Sequence, residues 1–188
     1  RLGQISIPTG NYDYSYTPDS GQFDTVTAPA GGGALNYAYD GFLVTGETQT
    51  GDISGNVTWT YDNNFWVTQR CASSDCISFT YDDDGLLTGA GAITLSRDVG
   101  NGLLTGTTLG DITTSQGYNG FAEMQDMEAV YQSNELFASS YTRDKLGRIT
   151  EKVETIEGAI TAYGYEYDLA GRLKTVTQDG VTVSTYSY

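Results

Sequence analysis

Histidine is missing from this 188-residue chain, and cysteine, proline, methionine and tryptophan are scarce, at 2, 3, 2 and 2. Without histidine the chain lacks the commonest general base and the commonest metal ligand together. Cations are few as well: 9 Lys and Arg stand against 24 Asp and Glu, a formal charge of −15. No basic stripe exists to displace counterions from phosphate, so nucleic-acid binding is excluded as a default. The deficit is local. Residues 1–140 hold only Arg1, Arg70 and Arg97 against 17 acids, whereas residues 141–188 hold 6 cations against 7 acids. Solubility or salty surroundings explain such a surface; a basic partner is the sharper reading. No apolar run reaches membrane-spanning length, and no signal peptide opens the chain. The chain starts on Arg1 rather than Met and stops inside a motif. It reads as a piece of something longer, so missing targeting signals say little about location.

What the chain has in plenty is tyrosine and glycine, 15 and 24. Tyrosine favours strands and glycine favours turns, while runs of helix formers are nearly lacking. The length suits one sizeable domain. The expectation is an all-β chain, a single array over 1–188.

A short device recurs along it. "YEYDLAGRLK" (165–174) matches "YTRDKLGRIT" (141–150), and "FTYDDDGLLT" (79–88) and "WTYDNNFWVT" (59–68) are looser copies. "YAYDGFLVTG" (37–46) is shortened, "YSYTPDSGQFDTV" (14–26) lengthened, and 96–106 and 117–124 are weaker. The anchors are Tyr16, Tyr39, Tyr61, Tyr81, Arg97, Tyr118, Arg143 and Tyr167, with Tyr188 opening a further copy. Their spacings, 23, 22, 20, 16, 21, 25, 24 and 21, describe about eight units of a repeat array. The recurring corner residues are Tyr39, Asp40, Tyr61, Asp62, Tyr81, Asp82, Gly85, Asp144, Gly147, Arg148, Tyr167, Asp168, Gly171 and Arg172.

Each unit reads as a β-hairpin. In the last one, strands 172–178 and 181–188 flank Asp179-Gly180, which suits a two-residue type I′ turn. That turn places Leu173 opposite Tyr186 and Val176 opposite Val183. A lone hairpin is marginal in water, so units must pair edge to edge, with the Tyr-Asp-x-x-Gly segment connecting one hairpin to the next. Asp suits bonds to nearby amides there, and Gly suits a conformation other residues avoid. Tyrosines two residues apart share a face and can stack along successive units. Cys71 and Cys76 fall midway between Tyr61 and Tyr81, at the expected hairpin tip. A disulfide stapling the two strands is the preferred reading, free thiols are the alternative, and a zinc site lacks further recognisable ligands.

With "YEYDLAGRLK", "YTRDKLGRIT" and "FTYDDDGLLT" in view, the chain resembles the Rhs or YD-repeat family. That family includes bacterial Rhs polymorphic toxins, B and C components of Tc toxins, wall-associated proteins and teneurins. The likeness covers most of the chain, strongest at 37–90 and 141–188, and two good copies depart from it at Arg143 and Leu86. It implies hairpins spiralling into a hollow β-shell around a C-terminal effector, in a secreted or envelope protein of bacterial type. The implied partners are neighbouring repeats of the same full-length chain, with the effector enclosed. The toxins' Asp-Pro-x-Gly-Leu element and aspartyl self-cleavage site have no counterpart here, so no catalytic residue carries over. No cofactor is implied, and the chain is not expected to be an enzyme.

Rival chemistry finds little support. The consecutive Asp82, Asp83 and Asp84 lack the alternation of a calcium loop. The acids offer no distinct pair for glycoside hydrolysis. The glycine-rich 30–35 and 100–106 lack the lysine and setting of a phosphate loop. Asn56-Val57-Thr58 is a glycosylation sequon, of no consequence in a bacterial protein. Met124, Met127 and Tyr131 have helical spacing within 121–132, but the repeat's phase favours an irregular hairpin there. The alternative function is an extracellular adhesin whose exposed tyrosines stack on surface glycans.

Overall fold

The computed structural model describes residues 1–188 and divides into two units, Arg1–Gly91 and Ala92–Tyr188. The first unit holds β1 (Gln4–Ile7), β2 (Gly10–Tyr16), β3 (Phe23–Thr27), β4 (Ala34–Asp40) and β5 (Leu43–Thr50). It continues with β6 (Gly55–Tyr61), β7 (Val67–Ala72), β8 (Asp75–Tyr81) and β9 (Leu87–Ala90). The second holds β10 (Ile93–Arg97), β11 (Leu104–Leu109), β12 (Ile112–Tyr118), β13 (Met124–Tyr131) and β14 (Asn134–Arg143). It ends with β15 (Ile149–Ile156), β16 (Ala159–Tyr167), β17 (Leu173–Gln178) and β18 (Val181–Thr185). Within each unit every strand pairs antiparallel with the next, and the only helix is one 3-10 turn, Pro29–Gly31. The chain is all-β, an array of hairpins.

The strands are cut to one pattern. In β2, Tyr12, Tyr14 and Tyr16 are half-buried while Asn11, Asp13 and Ser15 face water. β6 alternates likewise, with Val57, Trp59 and Tyr61 against Asn56, Thr58 and Thr60. Side chains two apart share a face, so each unit has an aromatic face and a hydroxyl-rich one. Neither face meets a second layer. No apolar side chain in the chain is fully buried, and the one buried polar residue is Ser139. Burial comes instead from neighbours on the same face: the Phe23 ring lies 6.0 Å from Tyr14, 5.8 Å from Tyr16 and 5.3 Å from Tyr37.

Two expectations of detail need comment. Asp179 and Gly180 both have positive φ, 49° and 80°, as a type I′ turn demands. The cross-strand partners nevertheless differ, because a bulge between Val176 and Thr177 inserts one residue into β18. Val176 therefore lies opposite Ser184, not Val183, and the Tyr186 amide donates to the Lys174 carbonyl at 2.8 Å. Leu173 lies opposite Tyr167 on its β16 side and has no partner in the β18 ladder, which reaches only to Thr175 opposite Thr185. The segment with helical methionine spacing is strand β13, paired on both sides and bulged on both. Neighbouring strands supply its backbone partners, and they outweigh the local pattern.

Candidate functional site

Alternate connections in each unit, those that follow an anchor, are built alike. At Asp62, Asp82, Asn119, Asp144 and Asp168 the residue's own N–H donates to the carbonyl four positions on, at 2.9–3.0 Å. Its side-chain Oδ1 accepts N–H groups from the residues two and four positions on. For Asp144 these are Leu146 at 2.9 Å and Arg148 at 3.1 Å; for Asp62 they are Asn64 at 2.8 Å and Trp66 at 2.9 Å. The residue three positions on donates back to the corner carbonyl and takes positive φ: Phe65 65°, Gly85 79°, Ala122 62°, Gly147 77° and Gly171 81°. An aspartate or asparagine thus closes the loop from inside, and glycine is favoured where φ turns positive. The Thr17 and Asp98 corners are one residue longer, closing on Gln22 and Leu103 at 2.9 Å each. Asp40 departs from the scheme: it faces Leu43 across a two-residue turn, Gly41-Phe42.

The residue ending a corner covers the next anchor. Arg148 donates from Nε to Asp144 Oδ2 at 2.8 Å and lies 4.6 Å over the Tyr167 ring. Arg172 repeats this, 2.7 Å from Asp168 Oδ2 and 4.3 Å over Tyr188. Trp66 plays the part beside Tyr81, their rings 5.3 Å apart. The Arg148 side-chain hydrogen bond, aided by the Leu146 and Arg148 amides, holds the Asp144 carboxyl below its usual range. The Arg172 amide, then its guanidinium, does the same at Asp168.

Within each unit, anchors tie one hairpin to the hairpin before it. From Tyr39 on, each anchor hydroxyl donates to a backbone carbonyl at the start of the strand past the preceding corner, its first residue except at Val44, the second residue of β5. In the first unit Tyr39 reaches Phe23 at 2.7 Å, Tyr61 reaches Val44 at 2.8 Å and Tyr81 reaches Val67 at 2.9 Å. In the second, Tyr118 reaches Leu104 at 2.9 Å, Tyr167 reaches Ile149 at 2.7 Å and Tyr188 reaches Leu173 at 2.9 Å. Arg143 replaces the phenol at the equivalent carbonyl: its Nη2 donates to Met124 at 3.1 Å, and its Nε pairs with Glu123 at 3.7 Å. A bulge sits directly before every anchor from Tyr16 to Tyr167, as between Thr60 and Tyr61 or Glu166 and Tyr167. These ties are not apparent from the repeat, although its anchors hint at them: each is Tyr or Arg, never Phe, so each ends in a donor.

The other singled-out residues are placed as follows. Cys71 and Cys76 lie opposite one another on β7 and β8, bridged at 2.06 Å beside a turn at Ser73-Ser74. Asp82 is engaged in its corner, where it accepts the Asp84 and Leu86 amides, and no group of three His, Cys, Asp or Glu side chains converges. On the aromatic face Lys152 pairs with Glu154, which raises the lysine's pKa. An open hollow of about 630 Å³ lies beside Arg143, among Phe121, Glu123, Tyr141 and Lys145. No helix is long and apolar enough to cross a membrane.

Comparison with known proteins bears on these joints. In the structure of TcdB2-TccC3, 92% of this chain superposes with a TM-score of 0.75 at 13% sequence identity. This chain spans 11% of the length of that one, so the likeness shows a shared hairpin fold. TcdB2-TccC3-Cdc42 aligns over 92% of this chain and 12% of its own, at 14% identity and a TM-score of 0.46. A porin-like protein from Bacteroides uniformis ATCC 8492 aligns over 97% and 92% at 12% identity, with a TM-score of only 0.29. No curated protein sequence matches. The family model of the teneurin YD-shell matches residues 1–188 from end to end. By that match, and with tyrosine-anchored corners running through both of its units, the chain belongs to the teneurin YD-shell family.

Proposed function

We propose that this chain is a stretch of shell wall in a secreted or envelope protein that encloses an effector domain, with no catalysis of its own. One observation carries the reading: within each unit successive hairpins are bound by main-chain ladders and anchor-to-carbonyl bonds, and no apolar core exists. A globular enzyme or a compact binding module spends its apolar side chains on a core. A wall needs only lateral continuity. The anchor tyrosines are unsuited to sugar stacking, since their hydroxyls are engaged and cations or rings lie over Tyr81, Tyr167 and Tyr188. The full-length protein tests this. Its effector region should resist proteinase under native conditions and become sensitive once the wall is breached by Asp144→Pro with Asp168→Pro. An effector digested equally fast in both proteins would overturn the proposal.

A further inference from the structure

Asparagine heads the corner after β12, where the corners after β6, β8, β14 and β16 have aspartate. The residue four positions on explains the exchange. At Asp144 and Asp168 it is an arginine, whose Nε donates to the second carboxylate oxygen. At Asn119 it is Glu123, and the asparagine Nδ2 donates to its Oε2 at 2.7 Å. An amide thus meets a carboxylate where elsewhere a carboxylate meets a guanidinium. The exchange also puts an asparagine before Gly120, and a glycine nitrogen reaches a preceding side-chain amide carbon with the least steric hindrance.

The chain has a second such dipeptide, Asn101-Gly102, and the structure sets the two apart. The Gly102 N–H donates to the Asp98 carbonyl at 2.8 Å, which ties the nitrogen down. The Gly120 N–H is engaged by no hydrogen bond; the residue is exposed, and a methyl group there would meet nothing within 4 Å. Asn119 Oδ1 accepts the Phe121 N–H at 2.9 Å and the Glu123 N–H at 3.1 Å. Both donors face the oxygen on which negative charge grows when its carbon is attacked. Asn101 Oδ1 has one such donor, Leu103 at 2.9 Å.

We infer that Asn119 is a site of spontaneous covalent modification, deamidation through a cyclic imide, with water as the co-reactant. Hydroxide removes the Gly120 N–H proton, and the nitrogen bonds to Asn119 Cγ. The bond from Cγ to Nδ2 breaks, and ammonia leaves with a proton taken from water. Water then opens the imide. Breaking the new bond to Cγ leaves aspartate at 119; breaking the original peptide bond leaves isoaspartate, with the main chain rerouted through the side chain. Either product disturbs the corner. Aspartate sets a carboxylate against the Glu123 carboxylate, where the amide nitrogen stood 2.7 Å away, and like charges so close are unfavourable. Isoaspartate lengthens the main chain inside the loop that Asn119 closes. Glu123 is also the partner of Arg143, so the damage falls beside the joint that Arg143 makes with Met124. The modification stands whatever the wall encloses.

The 188-residue chain is incubated at mildly alkaline pH in water labelled with heavy oxygen, and its peptides are mapped by mass spectrometry. In the folded chain the label should enter position 119 about fivefold faster than position 101, the factor that one hydrogen bond on the attacking nitrogen is worth. In urea the two rates should converge. Gly120→Ala, which the open space accommodates, should slow labelling at 119 and leave 101 unchanged. Asn119→Asp should lower the urea midpoint in the native background and leave it unchanged in a Glu123→Gln background. Equal rates in the folded chain, faster labelling at 101, or label at neither position would overturn the site. An equal loss of midpoint in both backgrounds would overturn the charge clash as its consequence.

Discussion

Changing Tyr167 to Phe removes one hydroxyl and its bond to the Ile149 carbonyl, and leaves the ring under Arg148. The expected cost is about 1 kcal/mol, read as a lower urea midpoint with an unchanged slope. At Arg143 the donor is charged and has two acceptors, Gly147 and Met124, so Arg143→Ala should cost more than the tyrosine change. The corner's fourth position gives a prediction of the opposite sign. Ala122 holds φ of 62° where most corners have glycine, and Ala122→Gly should raise stability by up to about 1 kcal/mol in thermal melts. Gly147→Ala should lower it, because a Cβ there would come within 2.7 Å of Glu123 Oε1. Protonation acts at this scale too. Asp144 and Asp168 have carboxyl pKa values lowered by folding from a usual 3.8. Their contribution is present above that value and disappears as pH falls through the lower folded one. Melting temperature should therefore drop below about pH 4. In the Asp144→Asn, Asp168→Asn variant the drop should be shallower.

At the scale of the element, the hairpins and their corners were legible because the signals are local. Asp179-Gly180 announces its own turn, and Asp-x-x-Gly announces the loop that its carboxylate closes. Register was less legible. The bulge that moves Val176 from Val183 to Ser184 depends on how the whole strand accommodates its partner, which no dipeptide encodes. Nor was the reach of a phenol to a carbonyl 18 residues upstream readable from Tyr167, since the acceptor is main chain and leaves no mark on composition. The Cys71–Cys76 bridge acts within one hairpin. In the loop-entropy account so small a ring is worth about 2 kcal/mol. Reduction should raise amide exchange in β7 and β8 while leaving β12 to β16 unchanged.

For the molecule as a whole, the lack of a buried apolar core changes what unfolding means. Stability is summed along the array from hairpins and joints, so the ends should open before the middle. Deleting residues 173–188 removes β17 and β18 together with the Tyr188 tie. Amide exchange should then quicken in β16, which loses its outer partner, and remain slow in β11 to β14. Collapse of the entire second unit on that deletion would refute nearest-neighbour behaviour. The anchors aim at carbonyl oxygens, and every amino acid supplies one regardless of its side chain. A joint so addressed is indifferent to the letter written at its receiving end, which gives mutation wide freedom there and lets two chains drift to 13% identity while still superposing at a TM-score of 0.75.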